Sequence, residues 1–257
     1  MRSAHVVVRP ALIALLAAAL TAIASAHTAE IKVLSTIGVK TAFEELTPYF
    51  ERRTGHRLAI TFGAADVLKR QIEAGEMFDA AILTSAVADD LIKQGKLVAA
   101  SRTNIARGGI GVAVRAGAPK PDIGTVDALK RAVLEAPSVT YAKEGGSGIY
   151  FAGLLERLGI AEAVRAKTKL GEGHVAELVA RGEADMAVQL ITELTSVRGV
   201  ELVGPLPAEV QSYIVLVGGV GSRARDVATA REFLQFLTSP ASARVFTAKG
   251  LEAGPGI

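Results

Sequence analysis

The chain has 257 residues, half of them hydrophobic, no cysteine, and 29 Lys and Arg against 26 Asp and Glu, a formal net charge of +3. That near balance, without a long basic run or an RNA-binding aromatic motif, argues against a nucleic-acid partner. The absence of cysteine excludes disulfides, Cys-ligated zinc and a lipidated cysteine anchor.

Residues 1–26 read as a signal peptide. Arg2 and Arg9 make a basic start, Ala11 to Ile23 an apolar run, and Ala24-Ser25-Ala26 a small-residue cleavage site. The apolar run is too short to span a bilayer comfortably, and no other stretch is long and apolar enough to do so. The expectation is export to the periplasm with cleavage after about Ala26. Loss of Arg2 and Arg9 leaves 27 basic residues against 26 acidic ones.

The remainder is long enough for one large domain or two modest lobes. Strand-like "EIKVLS" (30–35), "RLAITF" (57–62) and "FDAAIL" (78–83) alternate with helical stretches 41–53, 66–74 and 86–94, and Gly55, Gly75 and Gly95 stand as helix stops. This βαβαβα order argues for a parallel sheet covered by helices. In the first helix Ala42, Phe43, Leu46 and Phe50 repeat at helical spacing, while Pro48 is expected to interrupt and bend it. The turn before that helix, at Ser35 and Thr36, leaves backbone N–H groups free at a helix start, an anion-binding arrangement as well as an ordinary cap.

From Gly109, "GIGVAVRAGAPKPD" leads from a strand into a Pro/Gly loop, and the passage into a second lobe is placed there. The alternation resumes with helix 125–135, "SVTYAK" (138–143), the turn "EGGSG" (144–148), helix 149–158 stopped by Gly159, "HVAELVARG" (174–182) and "MAVQL" (186–190). A return strand 212–219 then feeds helices 226–237 and 240–248, with Ser239 before Pro240 as a start signal. The resulting expectation is one lobe from 27–108 and 212–257 and another from 109–211. Two crossings would make a hinge, and the cleft between lobes would be the ligand site.

Several residues are candidates on their own chemistry. The N–H groups around Ser147 and Gly148 could cradle an anion, and Tyr150 could turn its hydroxyl into the cleft. His174 opens a helical stretch, and Gln189 is a polar amide in an apolar strand that needs a partner. Gly145 to Gly148 imitate the start of G-x-S-x-G, but Ile149 replaces the last glycine. No phosphate-loop lysine is present, and His27, His56 and His174 lack metal-ligand spacing. No metal or other cofactor is expected.

The segments "FERRTGHRLAITFGAADVLKRQIEAGEMFD", "GSGIY" before a helix ending "LERLG", and "YIVLV" before the final helices appear in an order that resembles type II periplasmic solute-binding proteins, molybdate-binding members above all. The resemblance implies an α/β Venus-flytrap monomer of two lobes, each a mainly parallel sheet flanked by helices. It also implies a small anionic ligand and delivery to the membrane permease of an ABC importer. The family's two first-lobe hydroxyl donors fall on Gly38 and Ala65, and its second-lobe contacts on Ser147, about Gly173, and Leu190 in place of a tyrosine. Hydrogen bonds to a charged oxygen contribute about 1.5–3 kcal/mol each, so three absent hydroxyls weaken a molybdate site severely. Ser35, Thr36, Ser85, Ser147 and Gln189 could compensate, and a small organic acid is the expected anion.

A second resemblance lies in "FERRTGH", "RGGIGVAVRAGAPKPDIGTVDALK", "SGIY" and "LPAEVQS", which are similar to the periplasmic aconitate isomerases. It implies a proton shift within a tricarboxylate, interconverting trans- and cis-aconitate. His174 or Glu172 would then be the base, with Lys40, Lys143 or helix N-termini holding carboxylates. The sequence alone places a binding protein first and the isomerase as the alternative.

Overall fold

The computed structural model describes residues 28–253. The expected signal peptide, His27 and residues 254–257 of the expected first lobe lie outside the described residues. No helix among the described residues is long and apolar enough to cross a membrane.

Among the described residues nine strands form one sheet: β1 (Glu30–Thr36), β2 (Arg57–Gly63), β3 (Ala80–Thr84), β4 (Thr103–Arg115), β5 (Val139–Ala142), β6 (Thr168–Gly171), β7 (Met186–Leu190), β8 (Val200–Pro205) and β9 (Tyr213–Val220). The order is β2-β1-β3-β9-β4-β7-β5-β6, with β8 also pairing β4. Pairs β1–β2, β1–β3, β5–β6 and β5–β7 are parallel; β9 runs antiparallel to β3 and β4, and β4 antiparallel to β7 and β8.

This corrects the expectation of two separate, mainly parallel sheets. The reason is β4, whose thirteen residues pair with β9 from Thr103 to Gly109 and with β7 and β8 from Ile110 to Arg115. The strand expected to begin at Gly109 is therefore the second half of a longer one. Its first half, TNIARGG, hides its pattern because Asn104, Arg107, Gly108 and Gly109 interrupt the apolar run.

The helices are α1 (Lys40–Thr54), α2 (Ala65–Glu73), α3 (Ser85–Lys93), α4 (Val126–Glu135), α5 (Gly146–Arg157), α6 (Ala161–Arg165), α7 (Ala176–Ala180), α8 (Ile191–Thr195), α9 (Val227–Leu237) and α10 (Pro240–Ala248). Helix α1 runs through Pro48 without interruption, correcting the expected break. Helix α5 begins three residues earlier than the expected Ile149, and α7 keeps only five residues of the expected segment.

Both faces of the sheet are covered. Under β1, β3 and β9, Phe43 and Phe50 of α1 meet Phe233 of α9, with ring centroids 5.8 and 5.3 Å apart, and Phe246 of α10 joins them. The opposite face carries Leu34, Leu68, Leu83 and Leu91. Around β5 and β7, Leu129, Val133, Phe151 and Leu154 cover one face, and Val179 and Leu194 the other. Double-sided burial explains why "AAIL" and "MAV" read as unbroken apolar runs.

Phe50 is wholly buried among these rings. Phe50→Ala is expected to destabilise the fold by about 3–5 kcal/mol, read as a shifted urea midpoint with an unchanged slope.

Candidate functional site

Helices α4, α9 and α10 start with a side-chain cap: Thr125, Asp226 and Ser239 accept from Ala128, Thr229 and Ser242 N–H. Four other long helices start bare, α1 among them behind the short turn Ile37–Val39. Ala64 before α2, Thr84 before α3 and Gly145 before α5 make no side-chain cap hydrogen bond. All three line one small cavity, so the N–H groups and the positive dipole ends that a cap would answer are left for whatever enters it.

The cavity holds about 30 Å³ and lies where the turn after β1, the starts of α2 and α5, and the end of β7 meet. Gly145 has φ 126°, a backbone state that glycine adopts readily. Gly148 is a place of close approach: a Cβ there would stand 1.8 Å from the Ala142 carbonyl oxygen. That contact seats the first turn of α5 directly on β5.

Of the residues expected from sequence, Thr36, Ala65, Ser147, Gly173 and Gln189 are brought together in the cavity wall. Gly38 lies just behind it, where a Cβ would be 2.9 Å from Leu190 and 3.6 Å from Glu193 Oε1. The others are placed differently. Ser35 is fully buried and its hydroxyl donates to the Thr36 carbonyl at 3.3 Å. Ser85 is the first residue of α3, beside lining Thr84. Gly148 serves packing as described. The Tyr150 hydroxyl donates to the Val210 carbonyl at 2.8 Å, with the Arg157 guanidinium 5.1 Å from its ring centre. Its donor is thus committed away from the cavity.

Lys40, Lys143 and Glu172 are exposed. His174 is half-buried next to lining Gly173, and its Nδ1 is buried without a hydrogen-bond partner. Burial lowers its pKa from the ordinary 6.5; nearby Glu177 opposes that shift and Lys40 adds to it. Gln189, only 2% exposed, donates Nε2 to the Gly173 carbonyl at 2.7 Å, while its Oε1 is buried without a partner.

Two acidic residues of the wall were not anticipated. Glu144 meets Arg70 of α2, Nη2 to Oε2 2.6 Å, which holds its carboxyl below the ordinary range. Across the same region the Thr192 hydroxyl donates to the Gly38 carbonyl at 3.0 Å. Glu193 of α8 is 8% exposed; burial raises its pKa to about 8, opposed by a side-chain hydrogen-bond interaction with Gln189 that lowers it. In the sequence Glu193 looks like an ordinary helix acid; its signal is the spacing from Gln189, four residues apart in the apolar run "MAVQLITEL".

Residues 31–252 match the family model described as bacterial extracellular solute-binding protein. The chain is 31% identical to aconitate isomerase from Pseudomonas sp over 252 residues, 95% of this chain and 96% of that protein. It is 26% identical to the molybdate-binding protein ModA of Azotobacter vinelandii over 237 residues, 88% and 91% of the two chains. Among solved structures, the periplasmic molybdate-binding protein of Azotobacter vinelandii superposes with a TM-score of 0.74 at 19% identity, covering 86% of this chain and 98% of that one. The sulfate-binding protein SubI of Mycobacterium tuberculosis gives 0.72 at 17%, covering 88% and 87%. These structural likenesses establish the shared α/β fold.

The half-buried imidazole has a measurable consequence. A folded-state pKa below the ordinary 6.5 means that the unfolded chain takes up the proton first on acidification, so stability is lost as pH falls through that region. Between pH 7 and 5 the protein is expected to lose more stability than His174→Asn, by at most about 1.4 kcal/mol per pH unit. Parallel urea titrations of the two proteins check it, and equal losses would refute it.

Proposed function

The chain belongs to the bacterial extracellular solute-binding protein family, and from that membership we propose that it captures a small carboxylate-bearing anion and isomerises it, interconverting trans- and cis-aconitate. The observation that carries this reading is the 31% identity to an aconitate isomerase across 95% of the chain, against 26% across 88% for ModA. It reverses the order suggested by the sequence alone, where binding for transport stood first. The absence of three family hydroxyl donors, at Gly38, Ala65 and Leu190, supports a guest other than molybdate.

In this reading the carboxylates face the bare starts of α2 and α5, where unpaired N–H groups and helix dipoles favour negative charge. His174 is the better of the two expected bases, being neutral and half-buried beside lining Gly173, whereas Glu172 is open to solvent. Its imidazole removes a proton from the CH₂ carbon next to the double bond. The electron pair spreads over the allylic system and its carboxylate. The same proton returns to the far carbon, moving the double bond without any other reactant.

A tricarboxylate exceeds a cavity of about 30 Å³, so the walls must part to admit it. We place the parting between residues 28–108 with 212–253 and residues 109–211, hinged within β4 and in the segment that leads into β9. The Arg70–Glu144 ion pair and the Thr192–Gly38 bond open with it. Periplasmic location belongs to this reading, supported by the family match and by the signal-peptide pattern of residues 1–26.

A second reading, the substrate-binding component of an ABC importer delivering an organic acid to a membrane permease, draws on the likeness to ModA. One experiment separates the two. Purified protein incubated with trans-aconitate is expected to produce cis-aconitate, followed by chromatography, and His174→Asn to lower the rate by about 10²–10⁴-fold, the usual contribution of a general base. Calorimetric binding of aconitate without turnover would leave the transport reading standing.

A further inference from the structure

Gln189 presents an unusual account of donors and acceptors. Its Nε2 is committed to the Gly173 carbonyl, and its Oε1, an acceptor, is buried without any donor. Leaving such a group unanswered is costly, so a donor is to be sought among its neighbours. Four residues further on, across the start of α8, Glu193 faces the same cavity. An ionised carboxylate has no hydrogen to give, whereas a protonated one has a single O–H.

The surroundings favour that protonated form. Glu193 is 8% exposed and makes no ion pair among the described residues. The elements packed against α8 add no compensating cation. Strand β7 carries no charged residue; Arg107 of β4 pairs with Glu252, Arg115 at its far end is exposed, and Glu201 of β8 pairs with Lys120. Lys40, next to the turn that precedes α1, is exposed and lowers the His174 pKa without being among the causes acting on Glu193. Glu144, in the same cavity wall, is occupied by Arg70.

We infer that Glu193 enters the cavity as a neutral carboxylic acid, giving its O–H to Gln189 Oε1 in the free protein and to an oxygen of a bound carboxylate when one is captured. The proton is retained through the exchange: one hydrogen bond is broken and another formed, and no covalent bond changes. The site therefore selects for a guest that brings an accepting oxygen to that end, and it loses its grip once Glu193 ionises and repels the anion. This rests on the proposed function only for the identity of the guest used in the binding experiment.

Two measurements decide it, one without ligand. In the folded state the proton is held to a pH of about 8, whereas an unfolded glutamate releases it near 4.5. Over that window the unfolded chain binds fewer protons, so raising the pH weakens folding, by up to tenfold in the folding constant per pH unit. The protein is expected to show this decline between pH 5 and 8 relative to Glu193→Gln, which carries a permanent neutral donor. If that variant does not fold, ¹³C-labelled glutamate in the unaltered protein serves instead, with one side chain titrating near 8 rather than in the usual range.

In the second measurement, trans-aconitate binding to the unaltered protein is expected to weaken by up to tenfold per pH unit above about 8, and binding to Glu193→Gln to remain level. A flat stability difference, or no glutamate titrating above 6, overturns the inference. Failure of aconitate to bind either protein at any pH overturns the substrate reading, and the ligand-free measurement then decides the protonation by itself.

Discussion

Strand β4 is hydrogen-bonded along nearly its whole length, and to different neighbours in its two halves: β9 first, then β7 and β8. That shared ladder is the constraint on which everything else hangs. A strand cannot shift register in one half without dragging the other, since each one-residue slip would turn buried side chains to the wrong face. The apolar groups Ile105, Ile110 and Val112 are buried along it and tie both halves to their cores. The cavity lies beside this join, so the two halves keep one register and any parting of the walls turns about it.

What the wall offers is mostly backbone. Three long helices begin there without side-chain caps, while three others, away from it, are capped by Thr125, Asp226 and Ser239. A helix start without a cap is less stable by about 1 kcal/mol, so the arrangement exchanges some folding stability for a region of partial positive charge. No exposed lysine reaches into the cavity wall to supply a full charge. The negative side chains present are either neutralised by an arginine, as Glu144 is, or kept from ionising by burial, as Glu193 is.

Much of this was legible in the chain. The three N-terminal strand–helix pairs lie within a residue or two of their expected bounds, because amphipathic spacing and the glycines 55, 75 and 95 speak clearly there. Five of the expected site residues do share one wall. Strand β4 was half-missed because glycine and polar residues break its first half, and pairing with β9 is a property of tertiary structure that local pattern does not encode. Strands β6 and β8 and helices α6 and α8 passed unnoticed, being only four to six residues long. Glu193 was invisible for a related reason: a glutamate in a helical stretch is ordinarily solvated, and only the fold around it removes the water. Tyr150 illustrates the converse, since its hydroxyl found a backbone carbonyl sixty residues away that no spacing rule suggests.

The contact between Gly148 and the Ala142 carbonyl sets a boundary for anyone who would recut this protein for another guest. At 1.8 Å even a methyl group would have to evict a peptide plane, so the position tolerates no chiral amino acid and is a fixed point of any mutant library. Diversity has to be spent on Thr36, Ala65 and Ser147 instead, three small residues whose replacement alters the lining without unseating the helix behind it.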